Sequence, residues 1–304
     1  MTKVLAVVGP TAVGKTGLAI QIANKFNGEI ISGDSMQIYR GLDIGTAKAT
    51  SEEQAAAKHW LIDIADVHDR YSAADFTTQA ADKISDITNR GKLPIIAGGT
   101  GFYLQALLDG MQLGGDAYTD GAVREKWLNV ARREGNQMVW NRLNSLDPVA
   151  ATKIPVKNVR RTVRALEVIE TTGHLFSDQQ DEAGAYDSLI IGLNTDRARL
   201  YSRINERVEM MFRNGLLQEA KWLYDQGGVA LPAGKGIGYR EFQDYFEGHG
   251  ELNDVVEKIK LDSRHYAKRQ LTWFRNKTAA TWFDLVQQPE TVTEIEALVS
   301  HWLD

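Results

Sequence analysis

Gly9-Pro10-Thr11-Ala12-Val13-Gly14-Lys15-Thr16 has the residue types and spacing of a phosphate-binding loop, G-x-x-x-x-G-K-[ST] in full. Glycines let the backbone turn several N–H groups toward one anion, and a helix starting at Lys15 adds the positive end of its dipole. Lys15 can reach a phosphate oxygen, and the Thr16 hydroxyl can hold a Mg²⁺. Such a loop serves a diphosphate or a triphosphate. Four other constellations could add chemistry. Asp34, in Asp34-Ser35-Met36-Gln37, suits a general base, a Mg²⁺ ligand or a helix cap. Thr100 follows Gly98-Gly99 at a helix start, where its hydroxyl and N–H face a phosphate or cap the helix. Arg207, with Arg203 four residues before it, suits a bidentate clamp on a diphosphate, or a surface pairing with Glu206 or Glu209. The last is a pair of basic stretches. Lys153, Lys157, Arg160, Arg161 and Arg164 fall within twelve residues; Lys258, Lys260, Arg264, Lys268, Arg269, Arg275 and Lys277 fall within twenty, interleaved with Tyr266, Trp273 and Phe274. Cations neutralise backbone phosphates and aromatic rings stack on unpaired bases, although a charge run also suits a solvated helix face.

These residues need elements to hold them. Lys3 to Val8 reads as a buried strand leading into the loop, and Leu18, Ile20, Ile22, Ala23 and Phe26 continue as a helix. Gly28 to Ser32 is a second strand, which puts Asp34 just past a carboxyl end, where open parallel sheets bind ligands. Trp60 to Ile64 is a third short strand. Ser72 to Asn89 is a helix with Ser72 as its cap and Asp75 three residues on. Leu93 to Ala97 is a further strand, running through Gly98-Gly99-Thr100-Gly101 into an apolar helix from Phe102 to Leu108. Residues 122 to 170 are helical in pattern, broken at Leu146-Asp147-Pro148 and Pro155, and Gly114, Gly115, Gly173 and Gly184 punctuate the region. Ser188 to Leu193 returns to a strand. The remainder is mainly helical: 197 to 212, 216 to 224 after Gly215, and one long helix from 252 to 276. The expected architecture is α/β: a P-loop parallel sheet core flanked by helices (1–112 and 188–304) with a helical insertion domain (113–187).

Composition sets bounds. The chain has 304 residues and a net charge of −5. It has no cysteine, so neither a disulfide nor a thiolate zinc site is available. No apolar run approaches the ~20 residues of a membrane span, and the phosphate loop lies too near the start to leave room for a signal peptide. A cytoplasmic protein, off the membrane, is the expectation. The strand at 93–97 ends in Gly-Gly-Thr rather than in a Mg²⁺-holding Asp; Asp63 and Asp66 are the other strand-end carboxylates. ATP hydrolysis therefore lacks obvious equipment.

Seven motifs, collinear over nearly the whole chain, closely resemble one family, the tRNA dimethylallyltransferases, also called tRNA isopentenyltransferases. They are 9–16, Asp-Ser-Met-Gln-Ile-Tyr-Arg (34–40), Asp-Ile-Gly-Thr-Ala-Lys (43–48), Gly-Gly-Thr-Gly-Phe-Tyr (98–103), Arg-Ala-Leu-Glu-Val (164–168), Gly-Ile-Gly-Tyr-Arg-Glu (236–241) and Tyr-Ala-Lys-Arg-Gln-Leu-Thr-Trp-Phe-Arg (266–275). Val13 departs mildly from the small residue, often Ser, expected there. The resemblance implies transfer of a dimethylallyl group from dimethylallyl diphosphate to the exocyclic amine of the adenine immediately 3′ of a tRNA anticodon. It implies that Gly9 to Thr16 and Arg207 hold the diphosphate, with Mg²⁺ on Thr16, and that Asp34 is the general base with Thr100 placing the reactants. It implies tRNA contacts at Asp34, Ser35, Met36, Gln37 and Thr100, in the insertion at Arg124, Arg160, Arg161 and Arg164, and at Lys235, Tyr239, Arg240, Lys268, Arg269, Gln270, Trp273 and Arg275. A monomer acting on the anticodon stem-loop is expected. Three rivals differ in class: an adenylate isopentenyltransferase, which needs no RNA surface; a small-molecule kinase, which needs a lid arginine; and a non-catalytic RNA-binding module, for which a complete phosphate site has no purpose.

Overall fold

The computed structural model describes residues 1–111, 113, 121–178 and 186–304; Gly114, Gly115 and Gly184 lie outside them. In chain order the elements are β1 (Thr2–Val8), α1 (Lys15–Lys25), β2 (Gly28–Ser32), α2 (Ser51–Ala56), β3 (His59–Trp60), α3 (Ala73–Asn89), β4 (Leu93–Gly98) and α4 (Gly101–Leu108). Then come α5 (Gly121–Glu134), α6 (Asn136–Leu146), α7 (Pro148–Lys153) and α8 (Val159–Thr172). The chain continues with β5 (Tyr186–Leu193), α9 (Arg197–Arg213), α10 (Leu216–Asp225), α11 (Gln243–Phe246), α12 (Leu252–Lys277), β6 (Thr281–Phe283) and α13 (Val292–Leu303). Contacts divide the chain into two compact units, Met1–Leu108 with Gly184–Asp304, and Asp109–Ala183.

The first unit is built on a six-stranded sheet in the order β3-β2-β4-β1-β5-β6, parallel throughout. Along β1 the side chains alternate between faces. Leu5 and Val7 join a core with Leu18 and Ile22 of α1, Leu200 and Ile204 of α9, and Ile295 and Val299 of α13. Val4, Ala6 and Val8 join a second core with Phe76 and Ile84 of α3, Leu104 of α4 and Phe274 of α12. Burying each such side chain is worth about 1.5–3 kcal/mol, so both faces of β1 hold the layers together. The helix after β1 packs on one face and the helix after β4 on the other. A crevice therefore opens between the carboxyl ends of these two strands, the usual ligand site of an open parallel sheet. A third core, with Ile38, Leu42, Val208, Leu216, Phe242 and Ile259, carries the loops beside that crevice.

Several expectations need correcting. The strand expected at 60–64 is only His59–Trp60. Leu61 and Asp63 adopt left-handed backbone (φ 59° and 55°), which ends the pairing, and Leu61 turns inward to be buried. The helical stretch from 122 is broken at Gly135, whose φ of 91° suits glycine. The carboxyl-terminal region also holds the edge strand β6, which pairs with Ile191–Leu193. Ser72 does cap α3: its hydroxyl accepts from the Asp75 N–H and the Asp75 carboxylate accepts from the Ser72 N–H.

In the second unit, α5 to α8 surround Trp127, Val139, Leu143, Val163 and Leu166. Pro148 opens α7 and buried Asp147 caps it, accepting from the Ala150 N–H and, on its other oxygen, from the Ser177 N–H. No helix among the described residues is long and apolar enough to cross a membrane.

Candidate active site

A cleft of about 1150 Å³ lies at the carboxyl ends of the strands in the first unit, lined among others by Thr11, Lys15, Thr16, Asp34, Arg207 and Gln270. The phosphate loop forms its floor. Gly9 (φ 144°) lies against the Leu193 carbonyl, which leaves no space for a side chain. Ala12 (φ 68°) and Gly14 (φ 93°) take left-handed backbone, and α1 begins at Lys15. The Lys15 ammonium donates to the Pro10 carbonyl at 2.7 Å across the loop. Ala12 and Val13 are buried, so Val13 contributes backbone alone.

Two arginines of α9 close on the loop. Arg203 Nε donates to the Ala12 carbonyl at 2.8 Å, and Arg207 approaches the Thr11 hydroxyl at 3.3 Å. Arg207 is thus at the site rather than in a surface ion pair. Burial first, and Arg207 second, push Lys15 down to about 8, against the pull of the Asp34 carboxylate. Burial and the charge of Arg203 likewise lower Arg207, which nonetheless stays protonated. Three cations that repel one another form a cradle that a multiply charged anion relieves.

Asp34 follows β2. It caps no helix: its Oδ1 accepts from the Met36 N–H at 2.8 Å in a local turn. Burial raises its proton affinity above the ordinary carboxyl value; the Met36 N–H, the Lys15 charge and the Gln37 N–H oppose that shift. Thr100 precedes α4, but its hydroxyl accepts from the Ser35 N–H at 3.0 Å, which ties the second glycine turn to the segment bearing Asp34. That turn is crowded on every side. A side chain at Gly98 would meet Gly33, one at Gly99 would meet Gln270, and one at Gly101 would meet the Trp273 indole.

The long helix α12 supplies the other wall. Gln270 is buried; its Oε1 accepts from the Thr11 N–H at 3.0 Å and its Nε2 donates to the Gly99 carbonyl at 2.9 Å. One loop N–H is therefore committed to protein, and Gln270 braces the site instead of facing outward. Tyr266, one turn earlier, lines the cleft. Burial and the Asp34 charge hold that phenol protonated. Trp273 is half-buried beneath Gly101 and edge-on to exposed Phe102, with ring centroids 6.3 Å apart. Lys268, Arg269 and Arg275 are exposed, and Arg269 also lines the cleft.

Other expected residues are distributed more widely. Gln37 is tied down, bonded to Ser32 Oγ at 2.9 Å and to the Ala47 carbonyl at 3.2 Å. Met36 packs against Gly236, and exposed Lys235 is at the cleft wall. Tyr239 is buried, and its hydroxyl donates to Glu219 Oε1 at 2.7 Å, so the RNA contact expected of it gives way to a structural one. Glu219 also accepts the N–H groups of Asp43, Ile44 and Gly45 at 2.8–2.9 Å, which fixes the loop along one side of the cleft. Arg240 bonds Glu241 and Asp262. Asp63 pairs with buried Lys48 at 2.5 Å, and Asp66 accepts from His68. Neither carboxylate lies free at a strand end. In the second unit, Arg124 and Arg164 both reach Glu167, at 2.8 and 2.9 Å, while Arg160 and Arg161 are exposed.

A Mg²⁺ held between a bound diphosphate and few protein oxygens fits this site. Thr16 lines the cleft directly after Lys15, and no cluster of three or more His, Asp or Glu among the described residues makes an all-protein cage. Sequence reasoning passed over Tyr266, Arg203 and Glu219. The first lay in a quoted motif and the second was noted beside Arg207; Glu219 left no local signal.

The family model for IPP transferases matches residues 37–277, beginning after the phosphate loop. A tRNA dimethylallyltransferase of Limosilactobacillus fermentum is 60% identical over 100% of this chain and 99% of its own. A crystal structure of a tRNA isopentenylpyrophosphate transferase from Bacillus halodurans superposes with a TM-score of 0.75 and 44% identity, covering 100% of this chain and 97% of that one. A eukaryotic dimethylallyltransferase, described as acting on tRNA, gives a TM-score of 0.85 and 31% identity, over 99% of this chain and 79% of that one.

Proposed function

This chain belongs to the IPP transferase family, and from that premise we propose that it transfers a dimethylallyl group from dimethylallyl diphosphate to the exocyclic amine of the adenine 3′ of a tRNA anticodon. The observation that carries the reading is one cleft holding both a cationic diphosphate cradle and Asp34, a carboxylate of raised proton affinity. Breaking the allylic C–O bond sends its electron pair onto the departing diphosphate. Lys15, Arg207 and the loop N–H groups meet that charge where it develops. The adenine amine gives its lone pair to the allylic carbon and becomes acidic as the C–N bond forms; Asp34 accepts the proton. Thr16 and the diphosphate would hold Mg²⁺, which supplies further charge neutralisation at the leaving group.

The target base must leave its stack to reach the cleft, and flipped bases are read by hydrogen bonds and stacking. Asp34, Ser35, Met36 and Thr100 are our candidates for contact with it. Lys235, Lys268, Arg269, Trp273 and Arg275 in the first unit, and Arg160 and Arg161 in the second, suit phosphates and unstacked bases. We take the enzyme to act in the cytoplasm as a monomer. Label transfer from radioactive dimethylallyl diphosphate with Mg²⁺, offered undermodified tRNA, AMP and ATP separately, tests the reading. Label on tRNA alone is the expected result. Label on AMP moves the acceptor to a free nucleotide, and phosphate transfer from ATP without prenylation returns the chain to the kinase class.

A further inference from the structure

The wall formed by α12 has a use beyond shape. Two polar strips meet there: the phosphate loop, which on the reading above holds the donor, and the Gly98–Gly101 turn, which through Thr100 and the Ser35 N–H holds the segment bearing Asp34. These strips come from strands β1 and β4, and their loops are irregular backbone with no ladder bonds between them. Gln270 spans the gap with both ends of one amide, accepting at Thr11 and donating at Gly99. Gly99 has no room for a side chain because that amide fills the space.

We propose that Gln270 is a positioning residue for the transfer reaction, a strut that sets the separation between the donor cradle and the Asp34–Thr100 segment. The inference rests on the transfer reading above. Diphosphate binding draws on Lys15, Arg207 and the remaining loop N–H groups, so it survives loss of the strut. The rate does not, because an allylic carbon displaced by ~1 Å from its attacking amine and base costs on the order of a hundredfold.

The test measures single-turnover label transfer from dimethylallyl diphosphate to tRNA, donor Kd by calorimetry, and thermal midpoint. Gln270→Met keeps length and removes both bonds. Transfer roughly 10- to 100-fold slower is expected, with donor Kd within about threefold. Gly99→Ala displaces the same amide without removing it, and so keeps the test open should Gln270→Met fold poorly. It is expected to slow transfer roughly 5- to 10-fold, again with donor Kd little changed. Variants as fast as wild type, or losses that track donor affinity, would each overturn the strut. Wild-type protein that labels no tRNA sinks the transfer reading itself; wild-type transfer with unslowed variants sinks only the strut.

Discussion

Lys15 and Asp34 pull each other's proton affinity back toward the ordinary range: the carboxylate raises the ammonium, and the ammonium lowers the carboxyl. Burial outweighs the mutual help in both. Each therefore responds to what binds beside it.

Replacing Asp34 should remove chemistry and spare binding. General-base catalysis is worth roughly 10²–10⁴ in rate, so Asp34→Ala should slow label transfer by that range with donor affinity changed little. Turnover at the wild-type rate would sink the base assignment.

The pH–rate profile should be bell-shaped with assignable limbs. Asp34 must be ionised to accept a proton, so transfer rises with pH through a value above the ordinary 3.8. Lys15 must be protonated, so kcat/KM for the donor falls above about 8. Bound diphosphate favours the ammonium, and the alkaline limb of kcat should lie higher than that of kcat/KM. Lys15→Arg should abolish the limb near 8. The same shift has a stability consequence. The unfolded carboxyl loses its proton at lower pH than the folded one, so ionisation of Asp34 erodes stability as pH rises through that window. Asp34→Asn should raise the thermal midpoint at pH 7 and not below pH 4.

Gly99→Ala places a methyl group on the Gln270 amide. Overpacking of this kind costs about 1–3 kcal/mol, readable as a lower urea midpoint, and here it should also slow transfer. A variant with unchanged midpoint and rate would show that Gln270 moves aside freely.

Tyr239 and Glu219 should behave as structural partners. Tyr239→Phe is expected to cost about 1 kcal/mol and leave tRNA affinity unchanged. Glu219→Ala leaves three N–H donors and the phenol without their acceptor and should cost roughly 2–3 kcal/mol or more. A Tyr239→Phe protein of full stability and weakened tRNA binding would restore the RNA contact read from the sequence.

Lys268 is an exposed cation of α12. Lys268→Ala should weaken tRNA binding and reduce the slope of log affinity against log salt by about 0.7–0.9, with donor Kd unchanged. An unaltered slope would mark it as a solvated face.

What the sequence disclosed was local. Glycine spacing located both strand-to-helix turns, apolar runs located β1, β2, β4 and most of β5, and Ser72 with Asp75 announced the start of α3. The box at Thr50 and Glu53, which caps α2, was equally legible and went unread. What stayed hidden was pairing at distance. Gln270 and Tyr239 sit in motifs that the family resemblance pointed at RNA; their partners Thr11, Gly99 and Glu219 lie 259, 171 and 20 residues away. β6 is three residues long and takes its identity from β5. Residues 61–64 looked like a strand because they are mostly apolar, while two left-handed residues, Leu61 and Asp63, turn the chain.

The phosphate loop is translated well before the segments that complete it. Its first glycine rests on the Leu193 carbonyl, and its Thr11 N–H waits for Gln270. A nascent chain stopped short of α12 holds the whole binding motif in its sequence and lacks the surroundings that shape it. The assembly of this site is therefore governed by contacts of long sequence separation, which form slowly.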